Sequence, residues 1–274
     1  MGKLTVSGAG RATVPSTLPS IGTALNDMTW EEVRAISDAG LAADYFAVGD
    51  TKTIVINGTV GNTTFSNISI DAFILGIDHN SSVEGTNKIH FGLGKIGGVD
   101  VAFAGSGFTM NLNGTGSTGW EPCYMRNTLL GSDSSPINPT ANTMLAALPF
   151  DLRAVMKPIT KYSENTGGTS SSERYVTATT EHLPLLAEFE VFGTIKCANT
   201  YEKNFQAQYD YYKSGNSKKK YKHDATGTGA DWWLRSVAPN SMGGMFCLVL
   251  SSGIVYSASG SNTGNCNISP CFAV

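Results

Sequence analysis

From Ser236 to Val274 the sequence has no Asp, Glu, Lys or Arg, in a chain that is 15% charged overall. A typical domain is roughly a quarter charged, so this tail is kept free of ion pairs and of recognition led by charge. No apolar run approaches the length of a membrane-spanning helix, which excludes insertion by that route. The five cysteines, Cys123, Cys197, Cys247, Cys266 and Cys271, form no CxxC pair and no zinc spacing with histidine. Their odd number, mostly within apparent strands, points to buried free thiols and away from a disulfide framework. No charged N-terminal region followed by an apolar run marks a signal peptide. The expectation is a protein that leaves the cell inside a particle, or a fragment. GxSxG, HExxH, EF-hand and phosphate-loop patterns are all missing. This argues for a protein that is not an enzyme and uses no cofactor. A net charge of -3 gives no nucleic-acid footprint, and the basic cluster at Lys218, Lys219, Lys220, Lys222 and His223 reads as a solvated loop.

What fills the uncharged tail is Ser, Gly, Asn, Thr, Tyr, Cys and Ala, with Ile254, Val255 and Ile268 as the larger aliphatics between Ser251 and Ser269. A Ser/Gly-rich segment can be disordered, since it buries too little apolar surface to offset its ordering entropy. Its flanks argue otherwise, because Phe246 to Leu250 and Ile268 to Phe272 both read as buried strands. A small-polar stretch pinned between core strands is a presented surface. Tyr as a rigid anchor among Ser, Gly and Asn is the composition of antibody binding loops; a bland Ser/Gly-rich hairpin is the alternative.

Ahead of the tail, residues 1–27 read as a linker or an arm lying on the fold, and residues 28–274 as one domain. Thr29 and Glu32 have capping-box spacing, Trp30, Val33 and Ile36 recur at helical intervals, and Gly40 stands at the C-terminal end. Strands are expected at Tyr45 to Val48, Thr53 to Asn57, Asn67 to Asp78, Lys88 to Leu93 and Tyr175 to Thr180, and short helices at Ala141 to Leu148 and Asp151 to Met156. Leu183 to Phe192 fits helix or strand. Tyr201, Phe205, Tyr209 and Tyr212 fall on one helical face and read as core.

Titratable candidates are few. His79, His90, His182 and His223 read as solvent-facing or satisfied groups, because adjacent residues such as Asp78 and His79 point to opposite faces of a strand. Arg235 follows Trp232, Trp233 and Leu234 and precedes the uncharged tail, so burial against a partner is expected. Asp231, Glu121 and Glu190 are the candidate partners, and a ligand-binding arginine is the functional alternative.

At Trp232 to Ser236 and at Ser269, Pro270, Cys271 and Phe272 the chain resembles the variable proteins of diversity-generating retroelements, whose C-terminal domain has a C-type lectin-like fold of the formylglycine-generating-enzyme type. The Thr29-Trp30 helix, the Val48 to Lys52 turn, the Trp120 to Arg126 segment and Leu148-Pro149 extend the likeness to about Met28 to Val274. The resemblance implies an α+β, C-type lectin-like fold of mainly antiparallel strands with a few short helices, and a variable ligand-binding region at about 236–269. In such systems AAC codons are randomised at their adenines; no Lys or Glu codon ends in the retained base, which matches the charge gap. Met242 and Met245 cannot arise this way and read as scaffold. The variable role falls on Ser241, Gly243, Gly244, Leu250, Ser251, Ser252, Ile254, Tyr256, Ser257, Ser259, Ser261, Asn262, Thr263, Asn265 and Asn267. Trp232, Trp233, Leu234, Arg235, Phe246, Leu248, Val249 and Phe272 are the scaffold.

The function this implies is binding of a receptor or surface ligand on another cell, protein or glycan. The protein would be carried on a phage tail or, alternatively, exported to a bacterial surface, and would engage neither nucleic acid nor the membrane interior. Two rival expectations stand beside it. One is an oxidase of the formylglycine-generating type with copper on Cys266 and Cys271, since copper(I) favours soft thiolates; the other is a structural virion domain with Tyr256 buried against another subunit. Glu121-Pro122-Cys123 departs from the Glu-Pro-Asn of calcium-dependent lectins, so calcium-dependent sugar binding is not expected.

Overall fold

Long runs of alternating side chains build most of the chain into strands, and the computed structural model describes them over residues 18–112, 118–239, 245–261 and 266–274. The strands are β1 (Thr51–Val60), β2 (Thr63–Ile77), β3 (Ile89–Ile96), β4 (Val99–Ala102), β5 (Ile159–Glu164), β6 (Val176–Glu181), β7 (Lys220–Lys222), β8 (Ala225–Ala238), β9 (Met245–Val249), β10 (Val255–Ala258), β11 (Cys266–Asn267) and β12 (Cys271–Ala273). Ten of them form one sheet in the order β1-β2-β3-β4-β7-β8-β9-β10, with β11 on β8 and β12 on β3, while β5 and β6 pair separately. Pairing is antiparallel except where β4 meets β7 and β8 meets β11.

The helices are short. They are α1 (Trp30–Asp38), α2 (Ala42–Tyr45), α3 (Ser81–Glu84), α4 (Met144–Ala147), α5 (Phe150–Arg153), α6 (Glu188–Phe192) and α7 (Asp210–Lys213), with one π-helical turn at Met125–Leu130. The capping box forms as its spacing implies: Glu32 N–H donates to Thr29 Oγ1 at 3.2 Å and Thr29 N–H to Glu32 Oε2 at 2.7 Å. Gly40 follows the α1 C-cap in the left-handed region. Among the described residues no helix is long and apolar enough to cross a membrane.

Two hydrophobic clusters take alternate residues of the same strands, which places them on opposite faces of the sheet. Trp233, Phe246, Leu248, Phe272 and Ile74 belong to one, with Trp30 and Trp120. Trp232, Leu234, Cys247, Val249, Cys271 and Phe73 belong to the other, with Tyr209. Strands buried on both faces carry near-continuous apolar runs, which is why Phe246 to Leu250 shows no polar alternation.

Several sequence expectations need correction. Tyr45 to Val48 is not a strand; α2 ends at Tyr45 and a loop leads into β1. The aromatic stripe from Tyr201 to Tyr212 is a 3-10 turn (Glu202–Asn204), an extended stretch and α7, and long-range packing holds Tyr209 and Tyr212 in the core. Leu183 to Ala187 is extended, and helix starts only at Glu188. The basic cluster is not simply a solvated loop, because β7 carries Lys220 into the interior at 2% exposure, between the rings of Phe73 and Trp232. The arm lies on the fold where it is described: Leu25 is buried and Tyr45 Oη donates to Pro19 O at 2.8 Å, so packing begins before Met28.

Gly94, at φ +127°, lies within β3 at the register shift between the pairs Asp71–Lys95 and Ala72–Leu93, and a Cβ there would stand 2.2 Å from Val101 O. Gly94→Ala is expected to cost about 2–4 kcal/mol through strain and backbone displacement, read as a lowered midpoint in urea unfolding.

Candidate functional site

The site is a surface hairpin with a buried polar network behind it. β9 and β10 pair with Val255 opposite Val249 and Tyr256 opposite Leu248, joined by a turn in which Leu250 N–H donates to Ile254 O at 2.9 Å. β10 is an edge of the large sheet. Ile254 and Tyr256 are 54% and 57% exposed, Ser251 and Ser252 are exposed, and Leu250, Ser257, Ser259 and Ser261 are half-buried. These eight positions fall between Leu250 and Ser261, a stretch with no charged side chain. Asp231 on β8 holds the turn, its Oδ1 accepting Ser251 N–H at 2.7 Å.

Asn267 departs from its expected exposure. It is 2% exposed in β11 and donates from Nδ2 to Asp231 O at 2.8 Å, so its side chain stitches β11 to β8. Ser241, Gly243, Gly244, Asn262, Thr263 and Asn265, with Met242, lie outside the described residues. The expected scaffold is buried throughout: Trp232, Trp233, Leu234, Arg235, Phe246, Val249 and Phe272 are fully enclosed, and Leu248 is 2% exposed. Met245 packs against the second cluster.

Arg235 gains its partner through an irregularity in β8. Between the pairs Trp233–Leu248 and Val237–Phe246, three residues of β8 oppose Cys247 alone, a bulge that re-aims the side chains it contains. The guanidinium grips Glu190 with two bonds, Nη2 at 2.8 Å from Oε1 and Nη1 on Oε2, and donates to Ser163 Oγ and Leu185 O at 2.9 Å. Glu190 is thus the partner, and Arg235, with no exposed surface, is not a ligand-binding arginine. Lys161 Nζ stands 2.8 Å from Glu190 and from Glu84 and donates to Tyr209 Oη at 3.0 Å. Tyr209 Oη also lies 3.2 Å from His90 Nδ1, which extends the network to that imidazole.

Burial pushes the Glu190 carboxyl up, but Arg235 and Lys161 outweigh it and hold it well below the usual carboxylate range. Burial lowers His79 to about 3, so it is neutral; its ring stacks on Tyr209 at 3.6 Å. His79 and His90 are buried, not solvent-facing, and the Nε2 of each has no hydrogen-bond partner among the described residues. His79, Glu84 and Glu190 bring ligand atoms within 4.8 Å of one another, a set that could hold a metal. Lys161 already stands between the two carboxylates, and with Arg235 it balances their charge, so the geometry favours an internal ion-pair network. Cys266 and Cys271 are not assembled as a copper pair: Cys266 belongs to the first hydrophobic cluster and Cys271 to the second, on opposite faces of the sheet, and among the described residues the one three-donor set contains neither.

Next to this network, Glu202 accepts from Ser236 Oγ at 2.6 Å and from Glu164 N–H at 3.0 Å. Glu188 accepts backbone N–H bonds from Lys196, Cys197 and Ala198, pinning that loop. Glu84, Lys161, Glu188, Glu202 and Tyr209 were invisible as a group in the sequence. They come from separate segments that only the fold brings together.

A family model described as a domain of unknown function (DUF6273) matches residues 106–274, and the chain belongs to that family. No curated protein and no solved structure matches it.

Two consequences are measurable. Glu190→Ala leaves Arg235 and Lys161 buried and undercompensated, with an expected loss of about 3–5 kcal/mol in chemical denaturation. Burial raises Glu202 from its ordinary 4.5 to about 7. A raised carboxyl stabilises the fold below the unfolded value, and that contribution is lost as pH climbs from 4.5 through 7, about 3 kcal/mol in all. Glu202→Gln, which removes the titrating group, is expected to flatten this decline, read as a melting temperature that falls less between pH 5 and pH 8 than the parent's.

Proposed function

We propose that this DUF6273-family chain is a ligand-binding protein that displays a diversified surface on a C-type lectin-like scaffold, carried on a phage tail and directed at a receptor or surface ligand on another cell. One observation carries the reading: the stretch from Leu250 to Ser261 is charge-free and exposes Ser251, Ser252, Ile254 and Tyr256, while Phe246 to Val249 before it and Cys266 to Phe272 after it are buried. Exposed positions away from caps, ion pairs and cavities change stability little when substituted, so such a stretch tolerates varied side chains. Ile254 and Tyr256 give it apolar contact area and the serines adaptable hydrogen bonds, the pairing that binding loops use. Trp232, Trp233, Arg235 and Phe272 keep the backbone in place beneath it. Large antiparallel strands with short helices are compatible with the lectin-like scaffold that the Trp232 to Ser236 resemblance suggests.

Sequencing the gene's neighbourhood and sibling copies of the gene tests this. A reverse transcriptase gene and a near-identical template copy of the tail, differing at adenines, are expected nearby. Siblings should vary at Leu250, Ser251, Ser252, Ile254, Tyr256, Ser257, Ser259 and Ser261 while keeping Trp232, Arg235, Phe246 and Phe272. A neighbourhood with neither element, or siblings varying equally at both sets, overturns active diversification.

A further inference from the structure

A second site lies apart from the hairpin. A cleft of about 490 Å³ opens between the β1–β2 turn, the loop Ala104 to Ser106 and the β7–β8 turn, with the buried residues Cys266 and Asn267 lining it. Its size falls within the range of small-molecule sites. The walls are tied to one another. Ser106 N–H donates to Thr63 Oγ1 at 2.9 Å, joining the loop to the first turn, and Ala104 N–H donates to His223 Nδ1 at 3.0 Å, joining it to the second. The His223 ring is in turn wedged against Phe65 and Phe103, with centroids 5.4 and 5.7 Å away. Gly105 permits this closeness, since a Cβ there would meet the Phe108 ring at 2.5 Å and Thr63 Oγ1 at 2.6 Å.

Two opposite charges, Lys222 and Asp224, line the cleft. Neither forms an ion pair, with the other or with any other group among the described residues, and neither side chain has a hydrogen-bond partner there. Their neighbours in the lining are amides and hydroxyls, Asn62, Thr64 and Ser106 among them. A site with one free cation, one free anion and neutral hydrogen-bonding walls matches a small molecule that carries both charges. A ligand with a single charge would leave one wall charge facing it unpaired or repelling it.

We propose that this cleft binds a small zwitterion, a free α-amino acid, with its ammonium on Asp224 and its carboxylate on Lys222. The side chain lies toward Asn62, Thr64 and Ser106. Binding here is independent of the variable hairpin.

The test is isothermal titration of the purified chain with each of the twenty free amino acids, followed by the N-acetyl and the amide derivatives of any that bind. At least one amino acid is expected to bind with a Kd of about 1 mM or tighter, and both of its blocked derivatives should fail. Asp224→Asn and Lys222→Gln, substitutions of exposed or half-buried side chains, should each weaken binding at least about tenfold, with unchanged circular dichroism. Tyr256→Ala should leave it intact. The proposal is overturned if none of the twenty binds, if a blocked derivative binds as well as its parent, or if Tyr256→Ala removes binding while Asp224→Asn does not. That last outcome would move the ligand to the hairpin and leave the surface-binding reading standing, whereas failure of the cleft alone says nothing against the hairpin.

Discussion

The two-pronged grip of Arg235 on Glu190, closed from the other side by Lys161, is the contact on which the second half of the molecule depends. It joins β8, α6 and β5 at a point with no access to water. Removing charges from water is costly, and the cost is met only when every partner is present and every remaining hydrogen is placed. Here Ser163, Leu185 O, Glu84 and Tyr209 complete the set. Such a network adds less to stability than an apolar core of equal volume would, but it tolerates one arrangement of its elements. It therefore fixes where β8 bends and where the β9–β10 hairpin emerges.

Around that point the sheet separates two kinds of surface. Its central stretches, Ile89 to Leu93, Trp232 to Ala238 and Phe246 to Val249, are buried on both faces and cannot change without loss of packing. Along its edge strand β10 and the turn before it, Ser251, Ser252, Ile254 and Tyr256 are exposed and, among the described residues, carry no ion pair that a substitution would break. The division between positions that packing holds and positions free to change follows from burial alone. Asn267 shows how local that division is: it sits in the same uncharged tail as Tyr256, yet its hydrogen bond to the β8 backbone makes it part of the support.

Much of this was legible from residue patterns. The capping box at Thr29 and Glu32, the strands flanking the tail, the burial of Trp232, Trp233 and Phe272 and the free thiols all follow from local spacing and composition. Those features rest on contacts within a few residues, or on hydrophobicity strong enough to need no particular partner. The aromatic stripe from Tyr201 misled because its spacing fits a helix, while long-range packing placed each ring separately. Lys220 misled because a run of lysines looks solvated until an aromatic pair is brought to it.

The sequence by itself determined that the last forty or so residues are uncharged, strand-flanked and anchored by tryptophan, and that a buried Arg235 had to be paired or bonded to carbonyls. Only the tertiary structure decided that the acid is Glu190, that Lys161, Glu84, Tyr209 and His90 join it, and that Lys222 and Asp224 share a cleft with Asn62 and Ser106. The reason is physical. Hydrophobic periodicity and chain stiffness act between near neighbours and leave a trace in the order of residues. A buried charge takes its partner from whichever strand the fold carries past it, and that choice leaves no local mark.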